Sequence, residues 1–232
     1  MTCAKRWIVP CGIALIAAAA AAVAAPDRLG FSRSVTPGLT AHFERLFGQR
    51  ARARLLGWRD FAVDTAGGPE PGRISSGERE FLGPVNGFFN RVPYVTDEVH
   101  WRAVDYWATP AEFVASNGGD CEDFAIAKYF MLKELGVPVS RLRMVYARTW
   151  KSNLAHMVLA YYSAPGAEPL ILDSLEGGIH AASDRPDLVP VYTFNDDDLV
   201  FAQPGLPAIP VSTITFRLWR EVLARLEREL TY

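Results

Sequence analysis

Gly118-Gly119-Asp120-Cys121-Glu122-Asp123-Phe124-Ala125-Ile126-Ala127-Lys128-Tyr129 is the stretch whose reading decides the fold. Two glycines break whatever precedes them, and Asp120 then stands where a helix N-cap favours a short acceptor side chain. Cys121 falls in the first turn of a predicted helix running to about Leu135, where Gly136 and Pro138 stop it. Unpaired backbone N–H groups and the positive end of the helix dipole favour a thiolate at such a position. The stretch reads as a cysteine nucleophile at the head of a helix.

Its cysteine stands alone once the leader is set aside. Lys5 and Arg6 form a short positive region, the run from Trp7 to Val23 is apolar, and Ala22-Val23-Ala24 fits a small-x-small cleavage site. Residues 1–24 therefore read as a signal peptide and the protein as exported to the periplasm. A retained anchor is the competing reading, for which the run is short. Cys3 and Cys11 lie in this leader, which leaves Cys121. A lone thiol in an exported protein has no internal disulfide partner, so it is either functional or a small buried hydrophobe. Half of the 232 residues are hydrophobic and the formal net charge is −2. That composition describes a globular chain and gives no reason to expect a nucleic-acid partner.

Upstream of the nucleophile the pattern is helical. Residues 25–77 read as a lead followed by a basic amphipathic helix over 40–60, with Phe43, Leu46, Phe47, Ala51, Leu55 and Trp58 at helical spacing. Arg50, Arg52 and Arg54 are either its solvated face or a docking surface. Gly67 to Gly72 is a turn or connection, and residues 78–232 form the main domain. Helices are predicted over 78–90 and 96–107. Thr109-Pro110-Ala111-Glu112 supplies N-cap, N1 and N3 of another.

Downstream the period changes to that of strands, over 142–147, 155–162 and 170–173, with Pro165-Gly166 joining the last two as an antiparallel hairpin. A final helix spans about 212–230, with Leu218, Val222, Leu226 and Leu230 inward. Asn195 to Asp198 reads as a solvated loop or helix cap. Helices followed by strands argue for an α+β fold, the nucleophile helix packed on an antiparallel sheet.

A thiol nucleophile needs a base, and the base needs an orienting group. His156 on one strand and Asp173 at the end of the next would meet on the sheet face that the Cys121 helix covers. The bland readings are a core histidine and a turn aspartate; His42, His100 and His180 are the other candidate bases. Asp120, Glu122 and Asp123 flank the thiol, where negative charge disfavours a thiolate. They are either ordinary first-turn acids or ligands of a hard cation such as Ca²⁺. Zinc on Cys121, His156 and Asp173 is a weaker alternative, since no close-spaced ligand pair is present.

Gly119 to Tyr129, then His156-Met157-Val158-Leu159-Ala160-Tyr161-Tyr162, then Leu172-Asp173 resemble the bacterial transglutaminase-like cysteine proteinases, which include LapG-type periplasmic adhesin proteases. The similarity extends from Phe88-Phe89-Asn90 to about Asn195. It implies a papain-like, transglutaminase-type core with Cys121, His156 and Asp173 as triad. It implies a Ca²⁺ site at Asp120, Glu122 and Asp123, and a large repeat-containing adhesin cut at a di-alanine site to release cells from biofilm. It also implies restraint by an inner-membrane cyclic-di-GMP receptor. Acyl transfer to an amine and a non-catalytic binding module remain alternatives at this level.

Overall fold

The computed structural model describes residues 35–66, 78–202, 209–210 and 216–232. The expected leader, residues 1–24, and the connection at 67–72 lie outside them. No helix among the described residues is long and apolar enough to cross a membrane.

Two helices, α1 (Pro37–Phe47) and α2 (Gln49–Ala66), stand where one was expected over 40–60. Gly48 separates them at φ 81°, a left-handed conformation that suits glycine, and its N–H closes α1 onto Glu44 at 2.9 Å. Phe43, Ala51, Leu55 and Trp58 are buried as the spacing predicts, while Leu46 faces solvent. Arg54 leaves the basic face to donate to the Ala115 carbonyl at 2.7 Å. Helix α3 (Glu78–Phe89) follows the prediction.

The helix expected over 96–107 does not form. Only one turn, α4 (Asp97–His100), is helical. Asp97 Oδ2 accepts the Tyr106 amide at 2.6 Å, and Arg102 takes φ 55°. The side chain thus captures an amide the helix would have used and turns the segment into a loop. Helix α5 (Pro110–Ser116) carries the expected capping box: Thr109 Oγ1 accepts from the Glu112 amide at 3.1 Å, and Glu112 Oε2 from the Thr109 amide at 2.8 Å.

Helix α6 (Cys121–Glu134) is buried on nearly every side; Phe124, Ile126, Ala127, Tyr129, Met131 and Leu132 all lie in the core. It packs on one face of a seven-stranded antiparallel sheet. The strands are β1 (Leu142–Thr149), β2 (Ala155–Tyr161), β3 (Leu170–Leu172), β4 (His180–Ala181), β5 (Leu188–Phe194), β6 (Asp198–Phe201) and β7 (Ile209–Pro210), in the order β4-β3-β2-β1-β5-β6-β7. Alternation divides the sheet. Leu142, Met144, Met157, Leu159 and Tyr161 join the large core around α6, which includes α1 and α2. Val145, Ala147, Val158, Ala160 and Ile171 form a smaller cluster with Ala182 and Leu188 on the other face.

Asn195 to Asp198 is a hairpin turn with Asp196 and Asp197 exposed, the solvated loop of the two readings and not a helix cap. Asn195 Oδ1 accepts the amides of Asp197 (2.9 Å) and Asp198 (3.2 Å), so the side chain builds the turn joining β5 to β6. Helix α7 (Arg217–Glu229) buries Trp219, Val222, Leu226 and Glu229, whereas Leu230 is exposed and Leu218 half-buried. The stripe follows Trp219, whose indole packs on Phe130 with centroids 5.6 Å apart.

Candidate active site

The head of α6 is built by close packing. Asn117 ends α5 at φ 63°. A Cβ on Gly118 would stand 2.7 Å from the His100 ring, and one on Gly119 would overlap the Asp123 carboxylate and lie 2.8 Å from the Phe113 ring. Both glycines are therefore needed for the approach. Asp123, fully buried, accepts the Ala108 amide at 2.7 Å on Oδ1 and the Asp120 amide at 3.3 Å on Oδ2. It ties the turn before Cys121 to the loop before α5.

Cys121 is buried at the first position of α6, and its thiol donates to Glu122 Oε2 at 3.1 Å. Burial and the neighbouring Glu122 push the thiol pKa up; the backbone amide of Met157 works in the opposite direction. That amide lies beyond the last β2–β3 pairing, Leu159 with Leu172. The sulfur thus meets β2 where β3 has ended, one residue along the chain from His156.

His156 and Asp173 come together, both buried, with His156 Nε2 2.8 Å from Asp173 Oδ1. Met157, the residue after His156, joins the core around α6. With Nε2–H given to Asp173, Nδ1 is left to take a proton. Asp173 Oδ1 also accepts the Leu175 amide at 3.0 Å, and Oδ2 pairs with Arg185 at 2.8 Å. Burial alone would raise the Asp173 pKa; His156, Leu175 and Arg185 outweigh it and hold the carboxyl well below the usual range. Nothing in the sequence pattern singled out Arg185. His42 stacks on Tyr232, His100 bonds Ser116 and His180 sits on β4, so none of them adjoins Asp173.

The acidic residues form a nest larger than the three expected. Asp97, Asp105 and Glu122 present ligand oxygens within 4.8 Å of one another, as do Asp97, Asp120 and Asp123. Asp97 and Asp105 belong to the stretch predicted as helix, and their capture in a loop is what brings them here. Burial and neighbouring carboxylates raise the pKa of Asp97 to about 6 and that of Asp120 to about 8. Asp97 Oδ1 and Asp120 Oδ1 are buried with no hydrogen-bond partner among the described residues. Orphaned oxygens in an all-carboxylate nest fit a hard divalent cation. Among the described residues Cys121, His156 and Asp173 do not form a metal-ligand group, which leaves the zinc alternative without support.

Comparison with known proteins agrees with this architecture. The model of the bacterial transglutaminase-like cysteine proteinase family matches residues 69–187. The structure is similar to Legionella pneumophila LapG treated with EGTA, at 38% identity over 82% of this chain and 96% of that one, with a TM-score of 0.68. Calcium-bound LapG from the same organism gives 39% identity over 81% and 98% of the two chains, with a TM-score of 0.64. A comparison with curated protein sequences finds no match. The α+β core is of the papain-like, transglutaminase type, and the chain belongs to the bacterial transglutaminase-like cysteine proteinases.

Proposed function

We propose that the chain is a calcium-dependent cysteine endopeptidase in which Cys121 is nucleophile, His156 general base and Asp173 orienter. The observation that carries this is the buried pair of His156 and Asp173, Nε2 to Oδ1 at 2.8 Å, at the end of the strands against which the helix headed by Cys121 packs. The thiol proton passes to His156 Nδ1 and the sulfur attacks the scissile carbonyl carbon. Backbone N–H groups at the head of α6 face the resulting oxyanion. His156 then gives its proton to the departing amine, leaving a thioester on Cys121. A water, deprotonated by the same Nδ1, releases the acid and restores the thiol. Asp173 remains ionised throughout and stabilises the imidazolium.

Asp97, Asp105, Asp120 and Glu122 would hold the cation, with Asp123 kept by its two amides as the brace of the turn. Bound Ca²⁺ would offset the negative charge that burdens the Cys121 thiol. Calcium-bound LapG supports this reading through its similarity to the chain. As substrate we propose, from the resemblance of the sequence motifs to LapG-type proteases, the N-terminal region of a large repeat-containing adhesin, with release from biofilm as the outcome. On the sequence resemblance alone we also propose a periplasmic location, with residues 1–24 read as a signal peptide, and an inner-membrane cyclic-di-GMP receptor as inhibitor.

The test is incubation of the protein with an adhesin N-terminal region, with and without Ca²⁺, beside Cys121→Ala. Calcium-stimulated cleavage that Cys121→Ala abolishes is expected. Cleavage persisting in that variant overturns the reading, and cross-linking of an added primary amine in place of hydrolysis would reassign it to acyl transfer.

A further inference from the structure

The triad as described makes no use of Lys128, yet this lysine is fully buried. Its Nζ donates to the backbone carbonyl of Asp173 at 3.0 Å and lies 5.7 Å from the centre of the Phe124 ring. Among the described residues no carboxylate stands within ion-pairing distance of it. Burying an ammonium without a paired anion is costly, and such a group is usually replaced by hydrocarbon unless it has a task. Burial lowers its pKa to about 7, against the opposing pull of the Asp173 charge.

The task is visible in the ladder. The last β2–β3 pair is Leu159 with Leu172, and β3 pairs with β4 only at Leu170 and Ile171. Asp173 is therefore the first residue past the strand, with no ladder bond to hold its carbonyl. Lys128 supplies one donor to that carbonyl and Asn90 Nδ2, just past the end of α3, supplies a second at 2.8 Å. Both lone pairs are used, from two different helical segments. Lys128 stands about two turns beyond Cys121 on the same helix.

We propose that Lys128 is a positioning residue, a strut from the nucleophile's own helix to the peptide of Asp173. It keeps the carboxylate, and through it His156, in register with the Cys121 sulfur. This rests on the Cys121–His156–Asp173 reading above.

The test is alkylation of Cys121 by iodoacetamide, in calcium-containing buffer and across pH, which needs no substrate. Lys128→Met keeps the apolar stem and removes the ammonium. Its alkylation at neutral pH is expected to fall about 10- to 100-fold, the loss typical of a misplaced catalytic group. The acid limb of the pH profile should flatten, and the melting temperature should not fall. In an Asp173→Asn background Lys128→Met should slow the reaction no further, because both changes act through one carboxylate. A wild-type rate in Lys128→Met beside a slowed Asp173→Asn overturns the role of Lys128 alone. So does an equal further loss in the double variant, or a loss that tracks melting. A wild-type rate in Asp173→Asn sinks the triad reading and this inference with it. Should Lys128→Met fail to fold, Asn90→Leu removes the other donor and carries the same expectations, and an unchanged rate there overturns the strut.

Discussion

Arg185 Nη2 stands 2.8 Å from Asp173 Oδ2, so the carboxylate that orients His156 with one oxygen is gripped by a guanidinium with the other. Arg185 is itself clamped by Asp187, with Nε to Oδ1 at 3.0 Å and Nη2 to Oδ2 at 2.9 Å. The Asp187 carbonyl in turn accepts the Trp150 amide at 2.7 Å, which ties the clamp to the β1–β2 turn. A carboxylate held at both oxygens and at its carbonyl has little freedom to rotate away from the imidazole.

Arg185→Leu should therefore damage both fold and reaction. Removing one partner of a buried charge pair leaves the other uncompensated, a loss of about 3–5 kcal/mol where burial is complete. His156 and Leu175 still satisfy Asp173 Oδ1, so about 2–3 kcal/mol is the expectation here. Arg185→Lys should not rescue activity, because a single ammonium cannot reach Asp173 and keep the two-point contact with Asp187. Denaturant melts and alkylation rates of both variants check this; a fully active lysine variant would contradict it.

His156→Ala should leave Cys121 present but unassisted. Loss of one member of a triad typically removes nearly all of the rate that the set provides, about 10⁴-fold or more. Melting temperature should change little in Cys121→Ala, where a methyl group replaces a small thiol. Single-turnover cleavage with each variant separates the chemistry from binding, and retention of even a tenth of the wild-type rate in His156→Ala would move the base elsewhere.

The metal nest divides its residues into two kinds that mutation should separate. Asp97→Asn and Asp105→Asn should weaken Ca²⁺ binding by calorimetry and shrink the rise in melting temperature that Ca²⁺ gives. For the wild type that rise corresponds to about 2.7 kcal/mol at a hundredfold excess over Kd. Asp123→Ala should instead destabilise the protein with or without Ca²⁺, since it strips acceptors from the Ala108 and Asp120 amides. Equal responses from all three would mean that Asp123 is a ligand rather than a brace.

Local signals made part of this legible in the sequence. The Gly-Gly break, the N-cap at Asp120 and the capping box at Thr109 are decided by neighbours within a few residues, and the structure keeps them. What stayed hidden depends on contacts made at a distance. Asp97 takes the Tyr106 amide only because the loop folds back, and the period of 96–107 still reads as helix. Arg185 and Lys128 look like any surface cation until the fold closes over Asp173. In α7 Val222 and Leu226 are buried as the period predicts, while packing buries Trp219 and Glu229 in place of Leu218 and Leu230.

Glu229 gives the fold a pH dependence that a charge count does not reveal. It is buried on α7, where Oε1 accepts Thr109 Oγ1 at 2.6 Å and Oε2 has no partner among the described residues. Burial pushes its pKa from the usual 4.5 up to about 8, partly opposed by the Thr109 hydrogen bond. A carboxyl whose folded pKa is raised binds more protons in the native state than in the unfolded one. Stability is then fullest below about pH 4.5 and falls as pH rises through the interval to about 8. Glu229→Gln imitates the protonated form, so it should match the wild type near the acid end. Above the folded pKa it should melt higher, by several degrees or more for a shift of this size, and the gap should close as pH falls toward 4.5. Melting both proteins in metal-free buffer at the two ends of that interval checks the sign. A wild type that melts above Glu229→Gln at the alkaline end would show that Glu229 stays ionised against Arg225 and Arg228, and that the clamp of α7 on the Thr109 turn is an ionic one.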